Sequence, residues 1–191
     1  MFYYCLSIIF IYLHPIKTYK DMRKLNILKA VLDFFWFFSL IAVISIIFIL
    51  PFYLFSSEMT IPIKIRGYEI TSQTIFSKVI VFINVMSGLL FLNSIYLLRK
   101  VVGLFQKREI FNDEVVRLFN LIGKLIIASS ITSSFSIFVY NMAERNHLSI
   151  SFDFGSYDSF LISVSIGLFF MVISEVFKIA KKMKEENELT I

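Results

Sequence analysis

Phe34-Phe35-Trp36-Phe37-Phe38-Ser39-Leu40-Ile41-Ala42-Val43-Ile44-Ser45-Ile46-Ile47-Phe48-Ile49-Leu50-Pro51-Phe52-Tyr53-Leu54-Phe55 is a run of apolar residues without one charge. A helix needs about 20 apolar residues, at about 1.5 Å each, to cross roughly 30 Å of hydrocarbon. The stretch has that length, so the first question for this sequence is how often it crosses a bilayer.

Working outward, three further runs qualify. Val79–Leu98 is interrupted only by Asn84, Asn93, serines and Gly88. Residues 119–140 carry Lys124 near the start and a serine-rich middle, and Phe160–Phe177 has Glu175 near its end. With the first span set at about 32–55, four spans absorb most of a composition that is 58% hydrophobic and only 17% charged over 191 residues. Soluble domains of this size carry about a quarter charged residues and just under half apolar ones. Mean hydropathy is +0.78, which excludes an ordinary soluble domain and a disordered chain.

Lys and Arg in short connections set orientation. Lys17, Lys20, Arg23, Lys24 and Lys29 precede span one. Arg99, Lys100, Lys107, Arg108, Arg117 and Lys124 lie between spans two and three or just inside the third. Lys178, Lys181, Lys182 and Lys184 follow span four. Of 19 basic residues only Lys64, Arg66, Lys78 and Arg145 fall on the other side. Both termini are therefore expected in the cytoplasm of a bacterial inner membrane, with loops 56–78 and 141–159 outside. The pI near 9.3 is explained by anionic headgroups, so the lipid bilayer is the expected partner and direct nucleic-acid binding is not.

Met1–His14 is apolar but too short to span, and it lacks a basic lead or small-residue cleavage site. Either residues 1–21 form an interfacial segment or they are a non-native extension and translation begins at Met22; we favour the second. Residues 22–191 would then form one four-span domain. Cys5, the only cysteine, would disappear with the extension, and the chain has neither an internal disulfide nor a cysteine metal site.

In the first outer loop, apolar and polar residues alternate on both sides of Arg66-Gly67, the pattern of a hairpin. Pro62 restricts its strand to an edge or a start. Leu148–Phe154 alternates again, so the expected fold class is an all-α membrane protein. It would be a four-helix transmembrane bundle with a small extracytoplasmic β-sheet cap. The cap would close the bundle; a ligand-sensing role is the sharper alternative. His147 with Glu144, Asp153 and Asp158 reads as a solvated acidic loop rather than a metal centre.

Small residues mark helix interfaces in lipid. Span four has Ser159, Ser163 and Gly167 at steps of four, then Ser174. Span three has Ser129, Ser133 and Ser136 beside Thr132. Span two has Asn84, Ser87 and Gly88, then Asn93 and Ser94. Helix packing is the expected role, with a polar pore as the alternative. Asp33, Lys124 and Glu175 all fall at the cytoplasmic ends of spans, where Lys124 could pair with either carboxylate in a charge cluster. Between spans two and three, Asn112 is a good N-cap and Asp113 and Glu114 suit a helix start. Past span four, Lys181–Glu185, Lys182–Glu186 and Lys184–Glu188 are spaced for i,i+4 pairs. The end of this helix, Glu188-Leu189-Thr190-Ile191, is a candidate partner-docking tail.

Met22-Arg23-Lys24-Leu25-Asn26-Ile27-Leu28-Lys29 resembles the start of a bacterial four-span membrane family catalogued only as DUF 2975. Ile110-Phe111-Asn112, Val116-Arg117-Leu118 and Ile122-Gly123 resemble its second connection, and Glu186-Asn187-Glu188-Leu189-Thr190-Ile191 its tail. The resemblance covers about residues 22–191. The chain departs from it where members often carry a glycine shortly before the phenylalanine; here Lys107-Arg108-Glu109 stand. The resemblance implies no established activity or cofactor. It also implies a gene neighbourhood with a small helix-turn-helix transcription regulator.

Two functions follow as expectations. One is a non-enzymatic envelope sensor or membrane partner of such a regulator. The other is a subunit of a small-solute or ion transporter or channel, which could act as a homo-oligomer. An enzyme is not expected: no His-Glu-x-x-His, Gly-x-Ser-x-Gly or phosphate-loop pattern occurs, and His14 and His147 fall on opposite sides of the expected membrane.

Overall fold

The computed structural model describes residues 2–55, 63–65, 68–70, 74–144 and 160–189, with the side chains of the first helix described from Arg23 onward. Apolar runs of spanning length have formed four helices: α1 (Phe2–Phe55), α2 (Ile75–Gln106), α3 (Asp113–Glu144) and α4 (Phe160–Glu188). Each is long and apolar enough to cross a membrane. All four extend beyond the hydrophobic minimum. The 32 residues of α2 span about 48 Å, so its ends and those of its neighbours carry the polar groups.

The helix ends follow local chemistry. Thr74 caps α2, its hydroxyl accepting from the Ser77 backbone N–H at 3.3 Å. Asn112 caps α3 as expected, its side-chain oxygen accepting from the Glu114 N–H at 3.1 Å, with Asp113 and Glu114 in the first turn. At the end of α2, the Arg108 N–H donates to the Phe105 carbonyl at 3.1 Å and the Glu109 N–H to the Leu104 carbonyl at 3.1 Å. This reciprocal pair is a Schellman closure, which requires a left-handed residue. Arg108 supplies it at φ 63°.

Antiparallel β1 (Ile63–Ile65) and β2 (Tyr68–Ile70) pair Ile63 with Ile70 and Ile65 with Tyr68, on either side of Arg66-Gly67. The expected β-sheet cap is not supported. Among the described residues the strands form one two-stranded hairpin of three residues a side, which is marginal without further packing. The third expected strand, Leu148–Phe154, lies outside the described residues, as do His147, Asp153, Asp158 and the side chain of Glu144.

The helices are not four equal members of a bundle. Helix α3 is central, packed along α2 and along α4, and α1 packs mainly against α2. Val101 and Leu104 of α2 meet Val115, Leu118, Phe119, Ile122 and Ile126 of α3 in the larger core, with Phe170 and Phe177 of α4 packed against it. The Phe119 ring is stacked between those of Phe170 and Phe177, at 6.0 and 5.5 Å. A second core at the other end joins Tyr53 of α1, Ile80 and Val81 of α2 and Tyr140 of α3. Between its ends α1 presents Phe34, Phe38, Ile44, Phe48 and Phe52 outward, as a lipid-facing helix does.

Candidate functional site

The three packed helices diverge enough to leave a half-open cavity of about 500 Å³. Its floor is α3 and its walls are α2 and α4. Several residues expected to pack helices line it: Asn84, Ser87 and Gly88 of α2, Ser129 and Ser133 of α3, and Ser163 of α4. The structure brings these together.

Most of the polar groups are already committed. The Asn84 amide donates to the Ile80 carbonyl at 3.0 Å and to the Ser136 hydroxyl at 2.7 Å, and accepts from the Ser133 hydroxyl at 3.0 Å. Ser87 donates across to the Ser129 carbonyl at 2.7 Å. Ser94 turns back on its own helix, donating to the Phe91 carbonyl at 2.6 Å. These bonds clamp α2 to α3, so packing accounts for Asn84, Ser87, Ser129 and Ser133. Ser130 is different. It is 2% exposed, lines the cavity, and its hydroxyl has no hydrogen-bond partner among the described residues. In the sequence Ser130 is indistinguishable from Ser129 beside it, which carries the same signal.

Two glycines divide in role. A Cβ on Gly167 would lie 2.6 Å from Ile127 and 2.9 Å from the Gly123 carbonyl, and a Cβ on Gly123 only 2.5 Å from the Gly167 carbonyl. This pair is the α3–α4 crossing, and its Gly123 half was noticed in the sequence only as part of a family pattern. Gly88, by contrast, is corrected as a packing residue. It is exposed on α2 and a Cβ there meets nothing within 4 Å, so the position closes no contact. Asn93, read as part of the same stripe, is exposed on α2 outside the cavity lining.

The expected cluster of Asp33, Lys124 and Glu175 does not form. Asp33 of α1 pairs with Arg99 of α2, because α1 packs on α2 rather than α3. Glu175 faces outward with Lys178 at 4.0 Å, and Lys124 is exposed with no ion pair among the described residues.

At the basic end the α2–α3 turn and α4 come together instead. Lys181 pairs with Asp113 at 2.5 Å and Lys100 with Glu114 at 2.6 Å. Lys184 stands over the Phe111 ring, 5.6 Å from its centre. A shallow cavity of about 300 Å³ lies among Arg108, Phe111, Asp113, Lys181 and Lys184. On α1, Lys29 donates to Gln106 at 2.9 Å and Gln106 donates to Asn26 at 2.9 Å, so three connections are joined at this end. The candidate tail continues from it: Glu188 is held by Lys184 at 3.6 Å, Leu189 is exposed, and Thr190 and Ile191 lie outside the described residues. No three His, Cys, Asp or Glu side chains converge among the described residues.

Four apolar helices of spanning length, with polar networks confined to their contacts and ends, define a multi-pass membrane protein of no established activity. Residues 11–191 match the model of a family described as protein of unknown function (DUF2975), and the chain belongs to that family. The match begins earlier than the resemblance expected at residue 22. No curated protein and no solved structure matches the chain.

Proposed function

We propose that this chain is a non-enzymatic protein of the bacterial cytoplasmic membrane, with both termini in the cytoplasm. In this reading it reports envelope state to a small helix-turn-helix regulator docked at the basic end. The observation that carries the reading is the convergence there of the α2–α3 turn and α4, through Asp113–Lys181 and Lys184 over Phe111. A rearrangement of α4 against α3 in the membrane would alter this surface directly. The surface offers both charge signs around an apolar ring, which suits a folded protein partner better than a nucleic acid, for which a single-signed basic face is the usual footprint.

The test is co-expression of the full chain with a small helix-turn-helix regulator taken from its own gene neighbourhood, where the family resemblance expects one, followed by detergent extraction and pull-down. Recovery with the full chain and loss with a chain ending at Met183 support the reading. Unchanged recovery counts against tail docking. The alternative, a transporter or channel subunit, draws support from the polar-lined cavity between α2, α3 and α4. Flux of ions or small solutes in proteoliposomes would favour it, and absence of flux would dispose of it.

A further inference from the structure

Helix α3 carries two cations, Arg117 and Lys124. They are seven residues apart, two helical turns, so they stand on one face about 10 Å from each other. Ile131, Phe135 and Met142 continue that face at helical spacing, and all three are exposed. It is the side of α3 turned away from both neighbours, since Val115, Leu118 and Ile122 pack toward α2 and Gly123 meets α4. Both cations are exposed, and neither makes an ion pair among the described residues.

Depth sets Lys124 apart from the other cations of the basic end. Gly123, beside it, forms the crossing with Gly167 of α4, where a Cβ would lie 2.5 Å from the Gly167 carbonyl. Gly167 falls in the interior of the apolar run Phe160–Phe177, so Lys124 is level with the body of that span and not with its end. An uncompensated ammonium is costly there, and its way out is to snorkel toward the basic end. Helical side chains lean toward the N-terminus, which carries the Lys124 ammonium toward Arg117. The carboxylates of the first turn of α3 and of the facing stretch of α4 already serve other cations. Asp113 holds Lys181 at 2.5 Å, Glu114 holds Lys100 at 2.6 Å, and Glu175 has Lys178 at 4.0 Å.

We infer that the outward face of α3 holds one anionic phospholipid from the leaflet at the basic end. Its phosphate is shared by Lys124 and Arg117, and its acyl chains lie along Ile131 and Phe135. Arginine grips a phosphate through paired N–H donors and lysine as a point charge, so one phosphate between the two turns serves both. Charge decides among headgroups. From Arg117 onward this face has no carboxylate, so a headgroup of net negative charge is matched, whereas the ammonium of a zwitterionic lipid finds no partner. The site depends neither on the docking of a regulator nor on which compartment the basic end meets.

The experiment is native mass spectrometry of the full chain in detergent, titrated with dioleoyl phosphatidylglycerol or dioleoyl phosphatidylcholine. One phosphatidylglycerol per chain should be retained under conditions that strip phosphatidylcholine. Lys124→Gln and Arg117→Gln should each weaken that binding about fivefold. Lys124→Arg should keep it, which separates lost charge from lost fold. Lys182→Gln removes another cation of the same end, 78% exposed on α4, and should change nothing. Equal retention of phosphatidylcholine, or unchanged binding by Lys124→Gln, would overturn the assignment. So would equal weakening by Lys182→Gln, which would show a diffuse attraction of the whole basic end and no site on α3.

Discussion

Arg108 closes α2 in a left-handed conformation, φ 63°. A side chain there costs roughly 1–2 kcal/mol in steric conflict, partly offset because glycine loses more backbone freedom on folding. Arg108→Gly should therefore stabilise the protein by about 1 kcal/mol, read as a shift in its unfolding midpoint in mixed micelles. Gly123 makes the opposite case. Because a Cβ there would stand 2.5 Å from the Gly167 carbonyl, Gly123→Ala must push α4 away from α3, at a cost of about 1–3 kcal/mol. Gly88→Ala, with open space around it, should be neutral or slightly stabilising in the same assay. A uniform response of both glycines to alanine would contradict the two roles.

At the scale of elements, α1 is held to α2 by few groups. Besides Lys29 and Asn26 on Gln106 and the packing of Tyr53 on Ile80 and Val81, these are Asp33 with Arg99, the Trp36 and Tyr96 rings at 5.1 Å, and Lys78 donating to the Leu54 carbonyl at 2.9 Å. The ion pair is more than a third exposed on both sides, so its coupling in a double-mutant cycle of Asp33→Asn and Arg99→Gln should be modest, about 0.5–1 kcal/mol. The same cycle between Asp33 and Lys124 should give none. The wrong pairing came from matching depth along separate spans. Depth is legible in a sequence, but which helix lies beside which is not. The same distinction explains what was readable elsewhere. Asn112 and the tail pairs at 3.3, 3.7 and 3.6 Å act within a few residues of themselves. Asn84, Ser87, Ser129 and Ser133 were legible as a polar stripe, yet nothing in their spacing shows that α4 stands far enough from α2 to leave a cavity between them. Arg108 was hidden for a third reason: its neighbours on the chain give no sign of a left-handed residue, and only the two closing hydrogen bonds require one.

For the whole molecule, the open question is which end of the helices meets which compartment, and charge is the argument. Asn26, Lys29 and Arg99 stand at the same end as Gln106, Asp113 and Lys181. All three helix connections or extensions at that end are rich in Lys and Arg, whereas the opposite ends of α2 and α4 begin at Ile75 and Phe160 with Lys78 as the nearest described cation. On the proposed orientation, with Lys and Arg retained on the cytoplasmic side, Ile75 is expected outside and Leu189 inside. Both are well exposed, at 83% and 89%, so access rather than burial decides their reactivity. In a Cys5→Ser background, Ile75→Cys should react with a membrane-impermeant maleimide added to intact cells, and Leu189→Cys only after lysis. The reverse pattern would place the basic end outside and remove the surface on which a cytoplasmic regulator is proposed to dock.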